Sequence, residues 1–133
     1  MKRQGGCLCG QLRYEITGDP LGVVVCHCLN CQKQSGSAFS INMIGISDQI
    51  SLQGDLSTYA DENDKGEPLK RNFCNTCGSP IYSEILSQGN LIALKIGTLN
   101  DTSGLEPQSQ FWCIRKHDWL SFHGDIPAVM RNV

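Results

Sequence analysis

Apolar side chains recur along this chain of 133 residues in short bursts, separated by turn-forming residues. "LRYEIT" (12–17) alternates apolar and polar positions, the period of two that places one face of a strand inward. "GVVVC" (22–26) is a β-branched apolar run, and "FSINMIGI", "ISLQGDLSTY", "PIYSEIL" and "NLIALKIGTL" extend the series. Between them lie Gly18-Asp19-Pro20, Gly54-Asp55, Gly89-Asn90 and Asn100-Asp101, which suit tight turns. No segment keeps a helical period for long; at most a short helix fits after Cys28. The polar stretch 60–70 reads as a long exposed loop. Many short strands with frequent turns predict a mainly antiparallel all-β protein in a single domain, 1–133.

Composition narrows the function classes. Hydrophobic residues make up 40% and charged residues 18%, with a formal charge of −2. That balance is globular and lacks the basic face that a nucleic-acid backbone requires, so no nucleic-acid partner is expected. No apolar run is long enough to span a membrane, and the basic start "MKRQ" has no apolar stretch behind it. A cytoplasmic location without a membrane partner is the resulting expectation.

Eight cysteines change the picture. Their share is below the roughly 8–10% of secreted disulfide scaffolds, and bridges within C-x-C pairs would be strained. Metal ligation accounts for them better. They fall as Cys7-Leu8-Cys9-Gly10, Cys26-His27-Cys28-x-x-Cys31 and Cys74-x-x-Cys77-Gly78, with Cys113 alone. Structural zinc takes four ligands, usually as two pairs from separate turns. The two glycine-terminated pairs suit that arrangement, putting Cys7, Cys9, Cys74 and Cys77 on one ion. Cys26, Cys28 and Cys31 then form a set of three with an open fourth position, the pattern of a reactive zinc. In an extended segment His27 would face away from Cys26 and Cys28, so packing is expected of it rather than ligation. Spacing leaves two alternatives open: Cys7 and Cys9 could share an ion with Cys26 and Cys28, and iron could replace zinc. Cys113 is read as a small buried hydrophobe, and Trp112 and Trp119 as core residues.

The segments "GGCLCGQLRYE", "CHCLNCQKQSGSAF", "RNFCNTCGSPIY", "IALKIGTLND" and "FWCIRKHDWL" together resemble the glutathione-dependent formaldehyde-activating enzyme (Gfa) family, also called centromere-protein-V-like. The match runs from Gly5 to Leu120. The resemblance implies an Mss4-like fold of bent antiparallel sheets stapled by zinc. It also implies two zinc ions per chain, partitioned as above. The implied activity is that of a carbon–sulfur lyase, S-(hydroxymethyl)glutathione synthase-like, adding glutathione or a similar thiol to formaldehyde or another small aldehyde. One departure is visible: the family often has His-Ile-Trp or His-Ile-Phe where this chain reads "QFW", Gln110 to Trp112. Three cysteinates weaken the Lewis acidity of an ion, so capture of the thiol is expected rather than carbonyl activation. An anionic thiol calls for cations, and Lys33, Arg71, Arg115 and Lys116 are candidates, with Gly36, Ser37 and Phe39 shaping a pocket mouth. A non-catalytic, zinc-stapled binding module is the alternative reading.

Overall fold

A computed structural model describes residues 1–63, 65–124 and 126–131. Strands β1 (Lys2–Gly6), β2 (Arg13–Thr17) and β5 (Ile50–Gln53) form a three-stranded antiparallel sheet in the order β1-β2-β5. A seven-stranded sheet takes β3 (Gly22–Cys26), β4 (Ser40–Ile46), β6 (Leu56–Glu62), β7 (Pro68–Cys74), β8 (Pro80–Ile85), β9 (Leu91–Lys95) and β10 (Ser109–Phe111). Its order is β10-β3-β4-β9-β8-β7-β6. Among the named strands every pairing is antiparallel except β10 on β3. One α-helix, α1 (Leu29–Ser35), follows Cys28 and ends at Gly36, whose φ of 66° is left-handed. Glycine adopts that conformation without steric cost, which closes the helix.

The core lies between the sheets. Leu12, Tyr14 and Ile16 of the smaller layer meet Met43, Ile81, Ile92 and Leu94 of the larger, with Cys74 and Leu99. Leu12, Ile81 and Leu94 are fully buried, each contributing about 1.5–3 kcal/mol of transfer free energy. Tyr14 keeps its hydroxyl satisfied inside by a 2.6 Å bond to Thr98 Oγ1.

Four expectations need correction. Residues 60–70 are no long loop, because Glu62 pairs with Pro68 and Lys70 with Ala60, making a β6–β7 hairpin whose tip alone is loop. Its strands are polar because both faces of this sheet edge reach solvent, which erases the alternation a sequence reading relies on. "ISLQGDLSTY" is two strands in two sheets, broken at Gly54, which has a φ of 109°. Trp119 is 72% exposed and stacks on His117 with ring centroids 5.0 Å apart, whereas Trp112 is buried. Cys113 is half-buried rather than fully enclosed.

The face of the larger sheet turned away from the core positions the site. Strand alternation and register put Cys26, Ser40, Asn42, Lys95, Ser83 and Arg71 on it. This polar face is buried: Ser40, Asn42, Ser83, Arg71 and Lys95 are all at most 8% exposed.

Candidate metal centre

Two sulfur clusters form. In the first, Sγ atoms of Cys7, Cys9, Cys74 and Cys77 lie within 4.8 Å of one another. Cys7 and Cys9 sulfurs are 3.6 Å apart and those of Cys9 and Cys74 are 3.8 Å apart. Tetrahedral zinc–thiolate bonds of ~2.3 Å would space sulfurs ~3.8 Å apart, whereas a disulfide needs ~2.05 Å. All eight cysteines are free thiols. The fit to a thiophilic ion is good, and backbone N–H groups complete it. Leu12 N donates to Cys7 Sγ at 3.3 Å, Cys9 N to Cys77 Sγ at 3.5 Å, and Thr76 N and Cys77 N to Cys74 Sγ at 3.3 and 3.4 Å. The Gln11 amide adds a 3.1 Å contact to Cys74 Sγ. These donors stabilise thiolate charge. The Cys77 thiol is pushed down to about 5, first by the Ser79 hydroxyl and then by backbone N–H groups. Gly10 (φ 85°) and Gly78 (φ 79°) supply the left-handed residue each knuckle turns on. The quartet thus joins the turn after β1 to the turn after β7, and the pairing of Cys7 and Cys9 with Cys26 and Cys28 does not occur.

The second cluster holds Cys26, Cys28 and Cys31, again within 4.8 Å. Cys26 comes from the end of β3, Cys28 caps α1 by accepting the Cys31 N–H at 3.1 Å, and Cys31 sits in the first turn. Cys26 and Cys31 sulfurs are 3.4 Å apart. Among the described residues no fourth His, Cys, Asp or Glu ligand joins them. The Cys31 thiol is pushed down to about 3, first by its contacts with the Cys26 and Cys28 sulfurs and then by the nearby cations Arg71 and Lys95. Cys26 is pushed up by its contacts with the Cys28 and Cys31 sulfurs and by burial.

His27 is not among these ligands. Its ring is fully buried, its Nε2 is 2.9 Å from Gln110 Oε1, and Phe39 and Phe122 lie against it with centroids 6.3 and 6.2 Å away. Gln110 therefore has a structural partner at the position where the resembling segments often carry histidine. Burial lowers the His27 pKa from the ordinary histidine value.

Beside α1 lies a cavity of about 400 Å³ lined by Asn30, Lys33, Gln34, Tyr59, Asp61, Arg71, Phe73 and Gly78. Two sequence-nominated cations, Lys33 and Arg71, meet there. Gly36 and Ser37 are exposed and Phe39 packs on Phe122 at 5.2 Å; none of the three lines this cavity. Arg115 is exposed, and Lys116 binds the Leu120 carbonyl beside a different cavity. Arg71 is 6% exposed and donates its Nε–H to Asp61 Oδ2 at 2.7 Å. Among the described residues its terminal N–H groups have no protein acceptor. Sequence reasoning missed Asp61, Ser40, Asn42 and Lys95. Alternating polar residues in a strand read as solvent-facing, and no local signal showed that this face is covered. A polar cavity of about 250 Å³ on β1, β2 and β5 includes none of the cysteines.

A mainly antiparallel β protein with a four-sulfur and a three-sulfur cluster has the donor sets with which small thiolate proteins could hold metal ions. Among such proteins, the glutathione-dependent formaldehyde-activating enzyme family matches residues 2–115, and this chain is a member of that family. It is 33% identical over 81 residues to an Emericella nidulans protein provisionally named as a glutathione-dependent formaldehyde-activating enzyme, covering 59% of this chain and 41% of that protein. A Talaromyces marneffei protein with the same provisional name is 30% identical over 109 residues, covering 77% of this chain and 57% of its own length. The matched stretches thus span about half of these relatives. A Rhodobacter sphaeroides protein of known crystal structure shares the fold, with a TM-score of 0.58 at 21% identity over 78% of this chain and 91% of that one. No helix among the described residues is long and apolar enough to cross a membrane.

Proposed function

We propose that this chain adds an anionic low-molecular-weight thiol, such as glutathione, to a small aldehyde, with zinc held at both sulfur clusters. The observation that carries this reading is the convergence of Cys26, Cys28 and Cys31 as three ligands, with Arg71, which lines the cavity together with Lys33, within electrostatic reach of Cys31 and Cys28. When bound by these three thiolates, zinc supplies an electrophilic centre that favours the thiolate form of an incoming thiol. The remaining steps belong to the chain. Lys33 and the unengaged N–H groups of Arg71 bind the carboxylates of the thiol, while Asp61 fixes the guanidinium. Phe73 and Tyr59 give the cavity its apolar wall. Holding thiol and aldehyde together turns an encounter into a unimolecular step. The sulfur gives up its proton, its electron pair forms the C–S bond, and the carbonyl oxygen takes up a proton. The balance needs no oxidant or reductant.

The test is a metal count paired with thiol-dependent consumption of formaldehyde in wild type and Cys28→Ser. The expected result is two zinc ions falling to one, with a folded protein and activity lost. A Cys28→Ser protein that consumes aldehyde at the original rate overturns the assignment. Lost metal without any activity in wild type would instead support a zinc-stapled binding module.

A further inference from the structure

Lys95 is 8% exposed, yet no carboxylate pairs with it among the described residues, whose ion pairs are Lys2–Glu15 and Arg71–Asp61. Its one hydrogen bond goes to a neutral group: Nζ donates to Ser40 Oγ at 2.5 Å, and Ser40 Oγ donates on to Asn42 Oδ1 at 3.2 Å. An ammonium taken out of water costs several kcal/mol unless an anion faces it. The register names that anion. Ser40 lies directly opposite Cys26, and Lys95 opposite Asn42, so the ammonium is on the same buried face as the three-cysteine cluster. Cys31, Cys26 and Cys28 all lie within electrostatic reach of the ammonium.

We propose that Lys95 is the built-in countercharge of the three-cysteine site, which lets the open position accept a further anionic sulfur ligand. The inference rests on the reading of that trio as an open metal site. Three thiolates and a divalent ion leave one negative charge, and a thiolate guest would make it two. Arg71 divides its charge between Asp61 and the trio, whereas Lys95 has no carboxylate partner among the described residues and is the unshared cation that brings the total back toward one. In a low-dielectric site, like charge of that kind opposes guest binding strongly. Lys95 thus acts as a positioning residue, through charge, and makes no bond to the reacting carbon.

The experiment titrates the full chain with Co²⁺, following thiolate-to-cobalt absorption, in wild type and Lys95→Met. 2-Mercaptoethanol is the guest probe; lacking a carboxylate, it does not call on Lys33 or Arg71. The first cobalt equivalent should bind equally in both proteins. The second should bind about 10–100-fold more weakly in Lys95→Met. The pH at which the guest thiol adds its own absorption band should move upward. With only the four-cysteine cluster loaded, Lys95→Met should melt no lower than wild type, since an unpaired buried charge is gone. A purely structural lysine would lower both equivalents and the melting point. Should Lys95→Met not accumulate as folded protein, Ser40→Ala, which removes the tether, should weaken the second equivalent alone. Unchanged affinity and an unmoved guest titration, in whichever variant is measured, overturn the Lys95 inference while leaving the enzyme reading intact. A wild type that takes no second cobalt overturns both.

Discussion

Breaking the buried ion pair beneath the cavity should cost far more than its exposed counterparts do. Arg71 Nε and Asp61 Oδ2 are 2.7 Å apart, with side chains only 8% and 16% exposed. For surface pairs such as Lys2–Glu15 (3.4 Å, side chains 60% and 38% exposed), 0–1 kcal/mol is typical. For a pair shielded this well, removal of one partner costs about 3–5 kcal/mol, because a charge is left without compensation. The two single variants should differ. In Asp61→Asn the guanidinium still faces the sulfur trio, which supports it, so the loss should be near ~3 kcal/mol. In Arg71→Met both Asp61 and the trio lose their cation, so the loss should approach ~5 kcal/mol. At this chain length 1 kcal/mol corresponds to about 4 °C, and Asp61→Asn should therefore melt on the order of 10 °C lower. The double variant Arg71→Met/Asp61→Leu should recover much of the deficit, since well-packed apolar replacements of such pairs are often neutral. Circular dichroism melts at saturating zinc and fixed pH measure all four proteins. An Asp61→Asn protein melting within about 2 °C of wild type, or strictly additive losses in the double variant, would refute the argument. The same Arg71→Met protein should show a raised KM for carboxylate-bearing thiols relative to 2-mercaptoethanol.

Two further outcomes follow from the geometry. Cys77→Ser should remove a ligand from the quartet that ties β1 to β7, so apparent stability should fall steeply and zinc-dependently, unlike in Cys28→Ser; a melt within a degree or two of wild type would contradict a stapling role. Tyr14, pushed by burial from 10.0 to about 12 despite its bond to Thr98, should ionise above the ordinary phenol range. Because the folded value is raised, the neutral phenol stabilises the fold fully below pH 10 and the contribution is lost as pH rises toward 12. Phenolate absorbance against denaturation midpoint checks this, and Tyr14→Phe should abolish that part of the alkaline loss.

How far the chain could be read in advance depended on which forces were local. β2 was visible because its alternation survives, and β3, β4, β8 and β9 because their segments are rich in β-branched and apolar residues between turn signals. β1, "KRQGG", has almost no apolar signal and is a strand because its backbone pairs with β2 from Lys2 to Gly6. β10 is only three residues and owes its state to parallel pairing with β3. The Asp61–Arg71 contact crosses a hairpin diagonally, Asp61 lying opposite Leu69 and Arg71 opposite Tyr59, so it depends on a register that the polar stretch 60–70 concealed.

Sulfur chemistry was written into the order of residues. Cysteines two or three apart on a turn can present their thiols to one point, and a glycine placed just after the pair permits the turn; both are properties of a few adjacent residues. Which pairs meet, by contrast, is a matter of how sheets are ordered: the glycine-terminated pairs favoured Cys7 and Cys9 with Cys74 and Cys77, and only the folded chain decided this against a pairing with Cys26 and Cys28. The same holds for charge. Lys95 and Arg71 look like ordinary strand lysine and arginine until the fold buries them. Their meaning comes from desolvation, a quantity set by everything packed around a side chain and by nothing in its immediate neighbours along the backbone.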